Sequence, residues 1–196
     1  MDKPQTKTMT VEEFFRRYEG RPYELIRGVP VPMYTDDDGE PYEVAPTGGK
    51  HQLLVVEVSY YLRVYAQHTQ RGIVLAGEGG FLIGPDTYRA FDVAYMAKER
   101  IPAEGIPTGY WQVAPNFVVE IVSPSNRAHE LRLKVEEYMQ AGVEIVWIVY
   151  PDSLLIDVYR PGQATVTLQC GDSFEGGDVM PDFQVSIDAI FAPLLT

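Results

Sequence analysis

Two acids and one lysine carry the chemistry this chain can offer. Asp92 interrupts the apolar run "AFDVAYM" (90–96), and Glu120 interrupts "FVVEIV" (117–122). Both runs are short and rich in β-branched and aromatic residues, so they read as buried strands. Asp and Glu are depleted from strands and are rarely fully buried unless paired. A carboxylate buried alone is costly, so it finds a cation or keeps a proton. Two of them on neighbouring strands repel unless a proton or a cation sits between them. A hard divalent metal is one solution, because Mg²⁺ takes one or two carboxylates together with waters and phosphate oxygens.

Lys134 supplies the third group. From Glu120 the strand runs forward about three residues, roughly 10 Å at about 3.3 Å per residue. A helix expected over about 127–141 then returns at about 1.5 Å per residue, so seven or eight helical residues cover the same distance. That brings Lys134 level with Glu120. Leu131, Val135, Tyr138 and Gly142 define the stripe of this helix that faces the core. Lys134 lies on the flank of that stripe, while Glu130, Arg132, Glu136 and Glu137 are expected farther out. Its long stem can lie over apolar surface with the ammonium beside the acids. Two metal-holding acids with a lysine that orients or deprotonates a water suit in-line attack on a phosphodiester.

The rest of the chain must position these groups. Its 196 residues suit a single domain over 1–196, with the first eight expected to be flexible. "MTVEEFFRRYEG" reads as a helix capped by Thr10 and Glu13 and stopped by Gly20. "PYELIRGVPVPM" reads as a hairpin turning at Arg27-Gly28. "YTDDDGEPYE" (34–43) reads as a solvated acidic loop. A long apolar helix comes next, over 48–68, with Leu53, Val56, Tyr60 and Val64 at helical spacing. Strands are expected in "GIVLAGEGGFLIG" and over 88–96, and "IPAEGIPTGYW" reads as a loop. The segment 117–149 reads as a right-handed strand–helix–strand crossover with parallel strands. A hairpin is expected in "SLLIDVYRPG" and "ATVTLQC", and "MPDFQVSIDAIF" closes the chain. The expectation is an α/β (α+β) fold with a mixed sheet.

Composition excludes some classes. No run of about 18 apolar residues is present, so no membrane span is expected. The N-terminus lacks a signal-peptide core, and the single Cys170 cannot form an internal disulfide; both fit a cytoplasmic protein. A net charge of −12 argues against a generic nucleic-acid coat protein, which neutralises phosphates with Lys and Arg. It does not argue against a nuclease, whose metal site needs carboxylates.

Several stretches together resemble the Uma-type family of putative restriction endonucleases, within the PD-(D/E)XK nuclease superfamily. They are "MTVEEFFRR", "RPYELIRGVPVPM", "KHQLLVVEVSYYL", "RAFDVAYM", "APNFVVEIVSPSNRAHELRLKVEEYMQAGVEIVWIVYP" and "PDFQVSI". They span about residues 9 to 190, and 114–151 is the most specific. The resemblance implies a restriction-endonuclease-like core, a central mixed sheet flanked by helices. It implies that Asp92, Glu120 and the Ile121 backbone carbonyl hold Mg²⁺, with Mn²⁺ as an alternative, and that DNA is the substrate of a homodimer. The superfamily's lysine belongs two residues after the Glu, where this chain has Val122; Lys134 is the substitute. Phe91 replaces the superfamily's Pro before Asp92. Glu24 matches a further acid typical of the family, and is a candidate third acid near the metal or else a half-exposed hairpin residue.

His51 opens the long helix and reads as a capping or surface histidine, with a place near the site as the alternative. His68 and His129 read as surface residues, and no spacing of the three histidines suits zinc. "GEGG" (77–80) lacks the Lys-Ser/Thr of a phosphate loop. Ser123, Ser125 or Asn126 is expected to cap the helix near 127, and no Gly-x-Ser-x-Gly elbow is present. Cys170 reads as a structural thiol. Two other functions compete with a metal-dependent endonuclease. A catalytically inactive nuclease-fold binding or regulatory protein is favoured by Val122 and the acidic charge. A two-carboxylate glycosidase explains neither Lys134 nor the strand–helix arrangement.

Overall fold

The computed structural model describes residues 8–35, 40–41, 48–77, 79–123 and 126–195. The expected flexible arm (except Thr8), most of the acidic loop, Glu78 and Ser125 lie outside the described residues. The elements run α1 (Val11–Tyr18), β1 (Tyr23–Ile26), β2 (Val29–Pro32), α2 (Gly49–Thr69), β3 (Gly72–Ala76), β4 (Gly80–Leu82), β5 (Tyr88–Ala90), β6 (Val93–Ala97), β7 (Phe117–Ile121), α3 (Ala128–Gln140), β8 (Ile145–Tyr150), β9 (Leu155–Tyr159), β10 (Val166–Leu168), β11 (Ser173–Glu175), β12 (Gln184–Ser186) and α4 (Ile187–Phe191).

The central sheet has six strands in the order β10-β9-β8-β7-β6-β3. Only β7 and β8 pair in parallel, with Glu120 opposite Ile148, so the sheet is mixed and the expected strand–helix–strand unit is present. A second sheet, β2-β1-β5-β4, is entirely antiparallel. Arg27 and Gly28 both take positive φ, as a two-residue hairpin turn requires. Among the described residues no helix is long and apolar enough to cross a membrane.

Strand parity decides what each face of the central sheet packs against. Phe117, Val119 and Ile121 of β7 join a core with Leu54, Val58 and Leu62 of α2. Val118 joins the other core, with Val135 and Tyr138 of α3. Glu120 has the parity of Val118, so it points at α3.

Three expectations are corrected. First, Leu53, Val56, Tyr60 and Val64 are the exposed apolar residues of α2, and Leu54, Val58, Leu62, Tyr65 and Ala66 are the buried ones. The helix is apolar on opposite faces, so spacing alone could not choose between them. Second, residues 88–96 are not one strand. Pairing stops at Phe91 and Asp92, where the chain leaves the small sheet through β5 and enters the central sheet through β6. Third, the N-cap of α3 is Arg127, with no side-chain cap; Asn126 Oδ1 instead accepts from the Ser123 N–H at 2.7 Å.

Gly80 sets how closely β4 approaches β5, the strand that carries Arg89. A Cβ there would stand 2.2 Å from the Arg89 carbonyl oxygen. Gly80→Ala therefore lowers the urea-unfolding midpoint by an amount equivalent to about 1–3 kcal/mol. Gly109→Ala, where nothing lies within 4 Å, is the control and leaves the midpoint within about 0.5 kcal/mol of the parent.

Candidate active site

The site lies where the two sheets meet, at the carboxyl end of β7. In the antiparallel register of β6 and β7, Val93 faces Val119, which puts Asp92 opposite Glu120. The backbone ladder ends there, and the Ile121 N–H donates to Asp92 Oδ2 at 2.6 Å. The side chain replaces the missing strand partner. The N–H and C=O of an extended residue point the same way, so the Ile121 carbonyl is on the Asp92 side of β7. The other Asp92 oxygen, Oδ1, lies 3.1 Å from His51 Nε2 in the first turn of α2.

Glu120 is 7% exposed. Its Oε2 accepts from Lys134 Nζ at 2.8 Å, so the lysine does fold back from α3. Its Oε1 lies 2.5 Å from the Tyr138 hydroxyl, which is also 2.6 Å from the Ala90 carbonyl oxygen. A hydroxyl has one proton. When Tyr138 donates to Ala90, the contact with Glu120 is a hydrogen bond only if Oε1 carries the proton.

Glu24 is buried in β1 and reaches the same cluster. Its Oε1 accepts from the Ala90 N–H at 2.9 Å and lies 3.4 Å from Lys134 Nζ. Its Oε2 accepts from Arg89 Nη1 at 2.7 Å. Arg89 also holds Glu137, with Nε at 2.6 Å and Nη2 at 2.5 Å from the same Oε2. Glu137 therefore turns inward, where the helix pattern placed it outside. Arg89 and Glu137 were missed as parts of the site. Arg89 lies three residues before Asp92, a spacing that alternation along a strand puts on the opposite face; a charged residue inside the apolar run Tyr88–Phe91 was the available signal.

The ionisation of these groups reflects burial and their effect on one another. Burial pushes the Glu120 carboxyl up to about 7, and Lys134 opposes this without cancelling it. Burial works against the Lys134 ammonium, but Glu120 and Glu24 outweigh it and raise its pKa. Burial also acts to raise Glu24, but Lys134 and Arg89 outweigh it and hold Glu24 below its ordinary value. Burial lowers His51, and its hydrogen bond to Asp92 together with the negative charges of Asp92 and Glu120 more than reverses that, for a net rise. The other His51 nitrogen, Nδ1, is buried without a hydrogen-bond partner.

The donor set suits a hard divalent cation. Asp92 and Glu120 each receive two contacts, while a carboxylate offers about four acceptor positions. When all are ionised, Glu24, Asp92, Glu120 and Glu137 face the charges of Lys134 and Arg89, so two negative charges stay uncompensated while His51 is neutral and one when it is protonated. Among the described residues, no group of three or more His, Cys, Asp or Glu is placed to hold a metal ion by itself. Glu24 is buried rather than half-exposed, and both its oxygens are engaged, by the Ala90 N–H and by Arg89. His68 and His129 are exposed, as is Cys170.

The family model of Uma2, described as "Putative restriction endonuclease", matches residues 11–188. The chain belongs to the Uma2 family. The fold is also that of a solved protein described as a putative nuclease belonging to DUF820, from Anabaena variabilis ATCC 29413. The TM-score is 0.78 at 21% identity, covering 94% of this chain and 98% of that one. No curated protein matches. Uma2 membership and fold together support a restriction-endonuclease-like nuclease.

Burial of Glu120 makes stability depend on pH. Below about 4.5 the carboxyl is protonated in folded and unfolded chains alike, and above about 7 it is ionised in both. Between these values the folded chain keeps a proton that the unfolded chain has lost, so stability falls as pH rises. Raising a carboxyl from 4.5 to about 7 corresponds to at most about 3 kcal/mol. Without divalent metal, the stability of the parent relative to Glu120→Gln should decline by up to that amount from pH 4.5 to 7. Parallel curves in urea unfolding would show that burial of Glu120 has no such effect.

Proposed function

We propose that this protein is a Mg²⁺-dependent endonuclease that hydrolyses DNA phosphodiester bonds. The observation that carries this reading is the 2.8 Å contact of Lys134 with Glu120, beside an Asp92 placed opposite Glu120 in the strand register. Asp92, Glu120 and the Ile121 carbonyl are the groups that would hold Mg²⁺, or Mn²⁺ in its place. When bound, the metal supplies a Lewis acid and lowers the pKa of its water. Lys134 has three donors, two of them directed at Glu120 and Glu24, and the third would orient the attacking water and steady charge on the phosphate. His51 and the Ile121 N–H hold the Asp92 carboxylate in one orientation. Tyr138 does the same for Glu120. Cleaving both strands of a duplex with one such site per chain calls for two copies, so we read the working form as a homodimer.

Two observations favour the alternative, a catalytically inactive binding or regulatory protein. Val122 is half-buried against the α3 core where the superfamily's lysine belongs. Lys134 is held by two carboxylates at once.

Incubation with plasmid DNA and Mg²⁺ or Mn²⁺ separates the two. The nuclease reading expects cleavage that EDTA abolishes and that Asp92→Ala, Glu120→Ala and Lys134→Met each reduce by about 100-fold or more. No cleavage by the parent with either metal, or equal cleavage by parent and variants, would leave the binding-protein reading standing.

A further inference from the structure

Arg89 holds two acids and leaves a third free to hold a lysine. Glu137 lies three residues after Lys134 on α3, a spacing at which Lys and Glu side chains meet on a helix. They do not pair here. Glu137 Oε2 is taken by Arg89 Nε and Nη2, and Lys134 goes to Glu120 at 2.8 Å and Glu24 at 3.4 Å. Arg89 also takes Glu24 Oε2, leaving only the Oε1 side of Glu24 towards the lysine.

We propose that Arg89 is a positioning residue: by occupying Glu137 and half of Glu24, it keeps the Lys134 ammonium on Glu120. The inference rests on the nuclease reading, in which Lys134 serves the reacting water. The side chains of Arg89 and Glu24 are 9% exposed, and that of Glu137 is 16% exposed. A carboxylate this buried that loses its cation must find another, because an uncompensated buried charge is strongly destabilising. Lys134 is the flexible cation at helical spacing from Glu137. The planar guanidinium reaches both acids through different nitrogens, which a lysine's single ammonium cannot reproduce. The backbone flanking Arg89 reinforces the arrangement: the Ala90 N–H donates to Glu24, and the Ala90 carbonyl meets Tyr138.

The test tracks the ammonium itself as well as activity. The Lys134 signal in ¹⁵N-lysine NMR is assigned by its loss in Lys134→Arg. Arg89→Met is expected to move or broaden that signal and to lower kcat for plasmid cleavage about tenfold or more, with KM for DNA unchanged. Arg89→Met/Glu137→Gln removes the competing acid and is expected to recover part of both. Arg89→Lys serves if Arg89→Met does not fold, and is expected to behave as the single variant. A merely structural role predicts no recovery, so a double variant no better than the single one overturns the proposal. An unmoved Lys134 signal in Arg89→Met and Arg89→Lys does the same. If the signal moves and recovers as expected while the parent cuts no DNA, positioning by Arg89 stands and the nuclease reading falls.

Discussion

Glu120 is a carboxylate on the buried face of a central strand, and the surrounding polar structure compensates for it. Val118, on the same face, packs against Val135 and Tyr138 of α3. An acid in that setting needs donors, and α3 delivers two, Lys134 and the Tyr138 hydroxyl. Each donor then creates a further requirement. The lysine brings a charge that Glu24 helps to balance. Glu24 brings another that Arg89 balances, and Arg89 reaches Glu137 on the helix that started the series. The network closes on itself across β1, β5, β7 and α3. It thereby ties the small antiparallel sheet to the central one through side chains rather than through a shared ladder.

Asp92 has a different origin. It lies where one sheet hands the chain to the other, and its carboxylate fills the place of an absent backbone carbonyl beside Ile121. That dual use makes the acid part of strand pairing as well as part of the candidate metal site. His51 approaches it from α2 on the opposite face of the sheet from Tyr138. The site is thus assembled across the rim of the sheet, with the helices on both faces contributing.

The sequence was most readable where spacing and burial agreed. The β7–α3–β8 unit and the return of Lys134 to Glu120 are consequences of rise per residue and of one apolar stripe. The fold class is a consequence of the order of the elements. The features that escaped were governed by contacts remote in sequence. Glu137 looked like a solvent residue because nothing local indicates that Arg89, 48 positions earlier, would draw it inward. The buried face of α2 was misassigned because Leu53 and Leu54, Val56 and Val58 offer two stripes of similar quality, and only the sheet decides between them. Asp92 was placed within a continuous strand because Phe91 and Val93 are good strand formers, while the break depends on which sheet each half joins.

Placing the cation on a helix also changes how the site responds to mutation over evolutionary time. A lysine two residues along a strand is held by the strand itself. Lys134 is held by the rotation of α3, which Val135 and Tyr138 set by packing into the core. One residue inserted directly after Lys134 would turn the lysine by about 100° relative to both of those anchors. Val135 and Tyr138 therefore set, by their packing, where the Lys134 ammonium stands as well as how well the core is filled.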